Sequence, residues 1–127
     1  MFNNKFENKT ELLNQVLVIL QKELIDDPVS ESQIIIAYSA KKNTFHEVDL
    51  KNINLKIIEN IILERIKGKP LSKIINQKGF WKDIFYTNEN TLDPRADTEV
   101  IVENILYDYG KKKSSKFKFL DLCSGTG

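Results

Sequence analysis

Between residues 11 and 24 the apolar side chains Leu12, Leu13, Val16, Leu17, Leu20 and Leu24 recur every three or four positions, and no other property of the sequence restricts its fold more. Side chains at that spacing share one face of an α-helix, so the stretch predicts an amphipathic helix that must bury its stripe against a partner. Thr10 stands where an N-cap belongs, and Asp26-Asp27-Pro28 ends the helix. Ser30 and Gln33 have the spacing of a capping box, which predicts a second helix through Ile34, Ile35, Ile36 and Tyr38, ending near Lys42-Asn43. Thr44 caps a short helix over residues 45–48, and Asn54 caps a longer one with Leu55, Ile58, Ile62 and Ile66 as its buried stripe. Gly68 takes the left-handed position after that helix, and Pro70 prevents its continuation. A last short helix over residues 71–75 ends at Asn76. Helices this short can bury their stripes only against one another, so residues 1–76 predict a small helical bundle.

The period then changes. Phe80, Trp81, Ile84, Phe85, Tyr86 and Thr87 are aromatic or β-branched and favour strand. Asn88-Glu89-Asn90 is a turn cluster, from which Thr91-Leu92 returns, so residues 77–96 predict a β-hairpin. Asp97 or Thr98 caps a further helix carrying Val100, Ile101, Ile105 and Leu106, and Gly110 with the lysine-rich 111–115 loop closes it. Residues 117–122, Phe-Lys-Phe-Leu-Asp-Leu, predict a strand running into Cys123, Ser124, Gly125, Thr126 and Gly127. A strand ending in an acid and then a glycine-rich turn is how a doubly wound α/β sheet opens its nucleotide crevice. Glycine there lets backbone approach a ligand where a Cβ would intrude. The same few residues also suit an ordinary turn, because short glycine patterns are common.

Composition excludes several classes. At 127 residues, 41% hydrophobic and 29% charged, the chain suits one soluble domain, or a small domain plus a piece of another. A net charge of +1 gives no bulk attraction to nucleic acid, so no direct nucleic-acid partner is expected. No apolar run could span a bilayer, and the first residues lack a secretory signal. One cysteine excludes an intrachain disulfide, and a reducing cytoplasm is the expected location. His46 is the sole histidine and reads as structural or exposed, since a zinc site needs three or four ligands. Cys123 reads as a packed small side chain in preference to a reactive one.

Four segments in order carry a resemblance: Gly68-Lys69-Pro70-Leu71, Phe80-Trp81, Leu92-Asp93-Pro94-Arg95-Ala96-Asp97-Thr98-Glu99, and the 120–127 loop about twenty residues later. In order and spacing they resemble the bacterial release factor glutamine methyltransferases, whose members show G-x-P-L/I, then E-F-W, then L-I-P-R-P-D/E-T-E, then the cofactor loop. Glu31-Ser32-Gln33-Ile34-Ile35-Ile36 and Thr44-Phe45 also look like landmarks of that family, so the resemblance covers nearly the whole chain. It implies an α+β arrangement: an N-terminal helical bundle that recognises the protein substrate, a β-hairpin linker over residues 77–96, and from residue 97 the helix and first strand of a doubly wound methyltransferase domain. It further implies S-adenosylmethionine as cofactor, held by Cys123, Ser124, Gly125, Thr126 and Gly127. The implied reaction moves a methyl group to the side-chain amide of the Gln in the Gly-Gly-Gln loop of a peptide chain release factor. Phe80, Trp81 and Arg95 are the implied substrate and linker residues, although an aromatic lid on the bundle and a local ion pair of Arg95 with Asp97 and Glu99 account for them equally well.

The sequence departs from the family pattern at Gly79, where an acid is usual, at Asp93, where an apolar residue is usual, and at Ala96, where a second proline is usual. Burying Asp93 without a partner would be costly. The Asn-Pro-Pro-Tyr segment that clamps the substrate amide in the family is not among these 127 residues. The expectation is therefore a split, truncated or decaying enzyme that by itself methylates nothing. The alternatives are a non-catalytic module that docks a release factor or a separately encoded C-terminal half, and an inert remnant.

Overall fold

A computed structural model describes Phe2 and residues 6–111, 116 and 118–125. The chain divides into two compact units, Met1–Ile75 and Asn76–Gly127.

Among its described residues the first unit holds four helices: α1 (Lys9–Lys22), α2 (Pro28–Ser39), α3 (Leu55–Ile66) and α4 (Leu71–Ile75). Two 3-10 turns, Phe45–Glu47 and Leu50–Asn52, lie between α2 and α3. α2 is the central element, packed against α1, α3 and the first 3-10 turn, while α4 packs on α3. Its position explains its sequence: Ile35, Ile36, Ala37, Ser32 and Ser39 are all buried, so α2 is enclosed on more than one side. The two buried serines donate back to their own helix, Ser32 Oγ to the Val29 carbonyl and Ser39 Oγ to the Ile36 carbonyl, each at 2.8 Å. The core therefore gains small polar residues with no orphaned hydroxyl. Around α2 close Leu12, Val16 and Leu20 from α1, Ile58, Ile61 and Ile62 from α3, Leu71 and Ile75 from α4, and Val48.

The ends of these helices differ from the sequence expectation. α1 is capped by Asn8, whose side chain accepts from the Glu11 N–H at 3.0 Å, not by Thr10. α2 is capped by Asp27, which accepts from the Ser30 N–H at 3.1 Å, and Pro28 is its first residue. Proline lacks the N–H that a first-turn position would leave unpaired, so Pro28 begins a helix and the Ser30–Gln33 box is not used. Asn54 caps α3 as expected, accepting from the Ile57 N–H at 3.3 Å. Thr44 precedes a three-residue 3-10 turn, and its hydroxyl bonds the Glu47 carboxylate at 2.9 Å in place of a backbone N–H.

Three helices end in the same way. After α1, Leu24 (φ 54) donates to the Gln21 carbonyl and Ile25 to that of Leu20. After α2, Lys41 (φ 55) donates to Tyr38 and Lys42 to Ala37. After α3, Gly68 (φ 90) donates to Arg65 and Lys69 to Glu64. Each is a Schellman motif, and only the third gives its left-handed position to glycine. Leu24 is consequently 87% exposed beyond α1 and does not continue the buried stripe. Ile66 is 40% exposed, and Ile61 takes its expected place in the core.

The second unit begins with an antiparallel hairpin, β1 (Gln77–Phe80) and β2 (Asp83–Tyr86), in the register Gln77↔Tyr86 to Phe80↔Asp83. Asn76 holds the left-handed conformation expected of it (φ 54), and its carbonyl accepts from the Thr87 N–H at 3.2 Å. The hairpin turn lies at Trp81 and Lys82, not at residues 88–90. The latter form a second turn, with Thr91 N–H on the Asn88 carbonyl, and Thr91-Leu92 is not a strand. Helix α5 (Ala96–Tyr109) starts after Arg95, two to three residues earlier than an Asp97 or Thr98 cap would allow. Val100, Ile101 and Leu106 on it are about half exposed, at 55%, 57% and 49%. Residues 118–122 carry no strand: among the described residues only β1 and β2 pair, and a strand needs a hydrogen-bonded neighbour. Phe117 of the expected strand lies outside the described residues. The described molecule is thus helical with one two-stranded hairpin.

Candidate functional site

The aromatic turn of the hairpin is the best-defined of the expected site regions. Phe80 ends β1 half-buried, with its ring edge-on to Phe85 at 6.1 Å between centroids. Trp81 follows with φ 57, in the left-handed region that side-chain-bearing residues rarely occupy. Lys82 shares the two-residue connection, and its Nζ lies 5.6 Å from the centre of the Trp81 ring. The Trp81 backbone N–H donates to Glu99 Oε1 at 2.9 Å, joining the turn to the first turn of α5.

The segment between hairpin and helix is pinned by hydroxyls. Thr87 is 2% exposed, and its Oγ1 donates to Asp93 Oδ1 at 2.8 Å and lies 2.7 Å from Thr91 Oγ1. Thr91 Oγ1 also receives the Asn88 N–H at 2.9 Å. Asp93 is thus half-buried with a partner, which removes the penalty its position implied. Arg95 is exposed at the N-cap of α5 and makes no side-chain capping bond. Among the described residues it forms no ion pair with Asp97 or Glu99, and the Glu99 carboxylate turns to Trp81.

The glycine-rich turn is described through Gly125, while Thr126 and Gly127 lie outside the described residues. Cys123 (φ 62) and Gly125 (φ 69) both have left-handed backbone, and a Cβ at Gly125 would meet nothing within 4 Å. Cys123 is exposed, which corrects the expectation that it packs: with no strand formed before it, no sheet covers the turn. Ser124 is exposed as well. No hydrogen bond, ion pair or ring contact among the described residues joins 118–125 to Phe80, Trp81 or Arg95. The Trp81 turn and the α5 start are brought together. Glu99 is the residue whose role the sequence did not reveal. It stood in the most specific motif, but nothing local indicates a partner eighteen residues earlier.

His46 is exposed, and no cluster of metal-ligating side chains occurs among the described residues. No helix among them is long and apolar enough to cross a membrane.

No family model matches the chain. It is 33% identical over 124 residues to the release factor glutamine methyltransferase of Pasteurella multocida, covering 86% of this chain and 41% of that protein. The protein of the same name from Buchnera aphidicola subsp. Acyrthosiphon pisum is 33% identical over 108 residues, covering 81% of this chain and 38% of its own length. A third, from Leptospira interrogans, reaches 48% identity over 66 residues, 52% of this chain and 23% of that protein. The chain spans well under half the length of the relatives it matches. Identity of this level across most of its residues, shared with relatives of one name, shows that the chain belongs to the release factor glutamine methyltransferase family.

Proposed function

We propose that the chain serves the S-adenosylmethionine-dependent methylation of the Gln side-chain amide in the Gly-Gly-Gln loop of a peptide chain release factor, in the cytoplasm. The observation that carries this reading is the 33% identity over 124 residues with the Pasteurella multocida enzyme, which extends well beyond any one motif. In it, the helical unit and the Phe80–Trp81 turn with Arg95 face the release factor, and Cys123, Ser124, Gly125, Thr126 and Gly127 lie against the cofactor.

The described part of that turn suits such a ligand. Left-handed backbone at Cys123 and Gly125 turns the chain sharply, and the open space beside Gly125 leaves backbone room to approach a bound group. S-adenosylmethionine would supply an electrophilic methyl group on sulfonium sulfur. An amide nitrogen is a weak nucleophile because its lone pair is delocalised, so the work left to the protein is alignment. These 127 residues contain no Asn-Pro-Pro-Tyr to hold the amide. Their contribution in this reading is recognition of the substrate protein and one wall of the cofactor site.

A second reading, a docking module without catalysis, is favoured by the first unit, whose buried core closes on its own residues. One experiment separates the two. The purified chain is mixed with a release factor and labelled S-adenosylmethionine, and complex formation at low salt is measured beside label transfer. Transfer to the Gln amide supports a self-sufficient enzyme, and a complex without transfer supports the docking module. Absence of both complex and transfer overturns the release-factor reading for this polypeptide.

A further inference from the structure

We infer that Glu99 is a positioning residue, which fixes the left-handed Trp81 turn so that the tryptophan is presented to the protein substrate; this rests on the release-factor reading above.

The hairpin connection has two residues between the paired Phe80 and Asp83, with positive φ at the first of them. That is the position a II′ turn gives to glycine. A hairpin optimised for stability alone would have glycine at 81. Here the chain has Gly79 two residues earlier, in an open position with φ in the ordinary range, and its sole tryptophan in the strained one. Strain of this kind persists only where the surroundings over-determine it, and it marks sites where a side chain must be held in place.

The restraint is visible. Glu99 Oε1 accepts the Trp81 N–H at 2.9 Å, a bond to a carboxylate that reaches from α5 to the turn. Phe80 is locked edge-on against Phe85 on one side of the turn, and Lys82 sits by the indole. Trp81 itself is only half-buried, and Ile84, Phe85 and Tyr86 beyond it are exposed at 48%, 48% and 73%. The indole is held by its backbone, with part of its surface left to meet another molecule. Half-buried tryptophans of this kind are frequent anchors in protein recognition.

Because Trp81 is the sole tryptophan, its fluorescence reports this turn alone. The full chain is compared with Glu99→Ala, Glu99→Asp, Glu99→Gln and Trp81→Gly, by acrylamide quenching, by affinity for a release factor and by far-UV circular dichroism. Glutamine keeps an accepting oxygen at the same reach without the charge, so Glu99→Gln is expected to lose less than Glu99→Ala in both readouts. Glu99→Ala and Glu99→Asp are expected to raise quenching about twofold and to weaken release-factor binding about tenfold, the effect of losing one hydrogen bond to a charged group, with unchanged helix content. Aspartate keeps the charge in the first turn of α5, so it decides the matter if the alanine variant does not fold. Trp81→Gly relieves the backbone strain, and it is expected to keep or raise stability while weakening binding about tenfold, a combination that a purely structural role would not give. Equal binding by the unaltered chain, Glu99→Asp and Trp81→Gly would overturn the inference alone. Failure of the unaltered chain to bind would overturn the release-factor reading, and the inference with it.

Discussion

The guanidinium of Arg65 near the end of α3 grips the carboxylate of Glu31 at the start of α2 through two hydrogen bonds, Nε to Oε2 at 2.8 Å and the terminal nitrogen Nη2 to Oε1 at 3.1 Å. The two side chains are 16% and 19% exposed, so this is a largely enclosed, bidentate pair. Removing one member leaves the other charge poorly solvated. Arg65→Ala and Glu31→Ala are each expected to lower stability by about 2–3 kcal/mol, and the double variant by clearly less than their sum. Urea unfolding of the four proteins checks this, and strict additivity would show that the pair is not coupled.

Two of the three Schellman caps place a side-chain-bearing residue where glycine costs least. Leu24→Gly and Lys41→Gly should each stabilise the first unit by about 0.5–1 kcal/mol, reduced somewhat by the greater freedom of glycine in the unfolded chain. Gly68→Ala, at φ 90, should destabilise by about 1 kcal/mol. Thermal unfolding midpoints decide the signs. A loss of stability in both glycine variants would mean that the Leu24 and Lys41 side chains contribute more than their backbone strain costs.

The Lys9 ammonium, at the first residue of α1, donates to three backbone carbonyls of the loop after α2: Phe45 at 3.2 Å, His46 at 3.0 Å and Val48 at 3.2 Å. It also lies 5.0 Å from the centre of the Phe45 ring. No other side-chain type offers three donors from one point, so Lys9→Met should cost about 1–3 kcal/mol. Amide hydrogen exchange should accelerate across residues 45–48 well before it does in α2. Unchanged exchange there would show that water replaces the ammonium without loss.

Acid should weaken the first unit. Hydrogen bonding from Ser30 holds the carboxyl of Asp27 below its ordinary 3.8, Lys51 does the same for Asp49, and Lys67 holds Glu64 below 4.5. A carboxyl whose pKa is lower in the folded chain contributes stability that is complete above its unfolded value and is lost as pH falls through the folded one. Urea midpoints should therefore stay level above about pH 5 and decline below about pH 4. Asp27→Asn keeps an N-capping oxygen but does not titrate, so its acid decline should be shallower.

Much of the first unit was legible because its signals are local. The spacing of Leu12, Val16 and Leu20, the Asn54 cap, Gly68 and Asn76 each state a conformation within a few residues of sequence. The misplacements had two causes. Asn8 and Thr10, or Asp27 and Ser30, are rival caps of similar quality, and the choice falls to packing and to Pro28. Asn88-Glu89-Asn90 prefer turns and Trp81 does not, so local preference points to a hairpin turn at 88–90. The turn falls at Trp81 because Phe80 pairs with Asp83, and it is bonded to Glu99, a tertiary contact that no window of a few residues contains. The family motifs identified the regions of the candidate site, but which of their side chains touch was not written in their spacing.

The hydroxyl network of Thr87, Thr91 and Asp93 acts on the chain between two fixed points. The Thr87 N–H is tied to the Asn76 carbonyl at one end, and Glu99 is tied to Trp81 at the other. The number of residues from 87 to 99 is thereby a ruler. Side chains at Glu89 and Asn90, which face water, can drift to other polar types with little effect. Adding or removing a single residue in the first turn of α5, ahead of Glu99, would carry Glu99 about a hundred degrees around its helix, away from the turn it holds. In this stretch the molecule is sensitive to arithmetic before it is sensitive to chemistry.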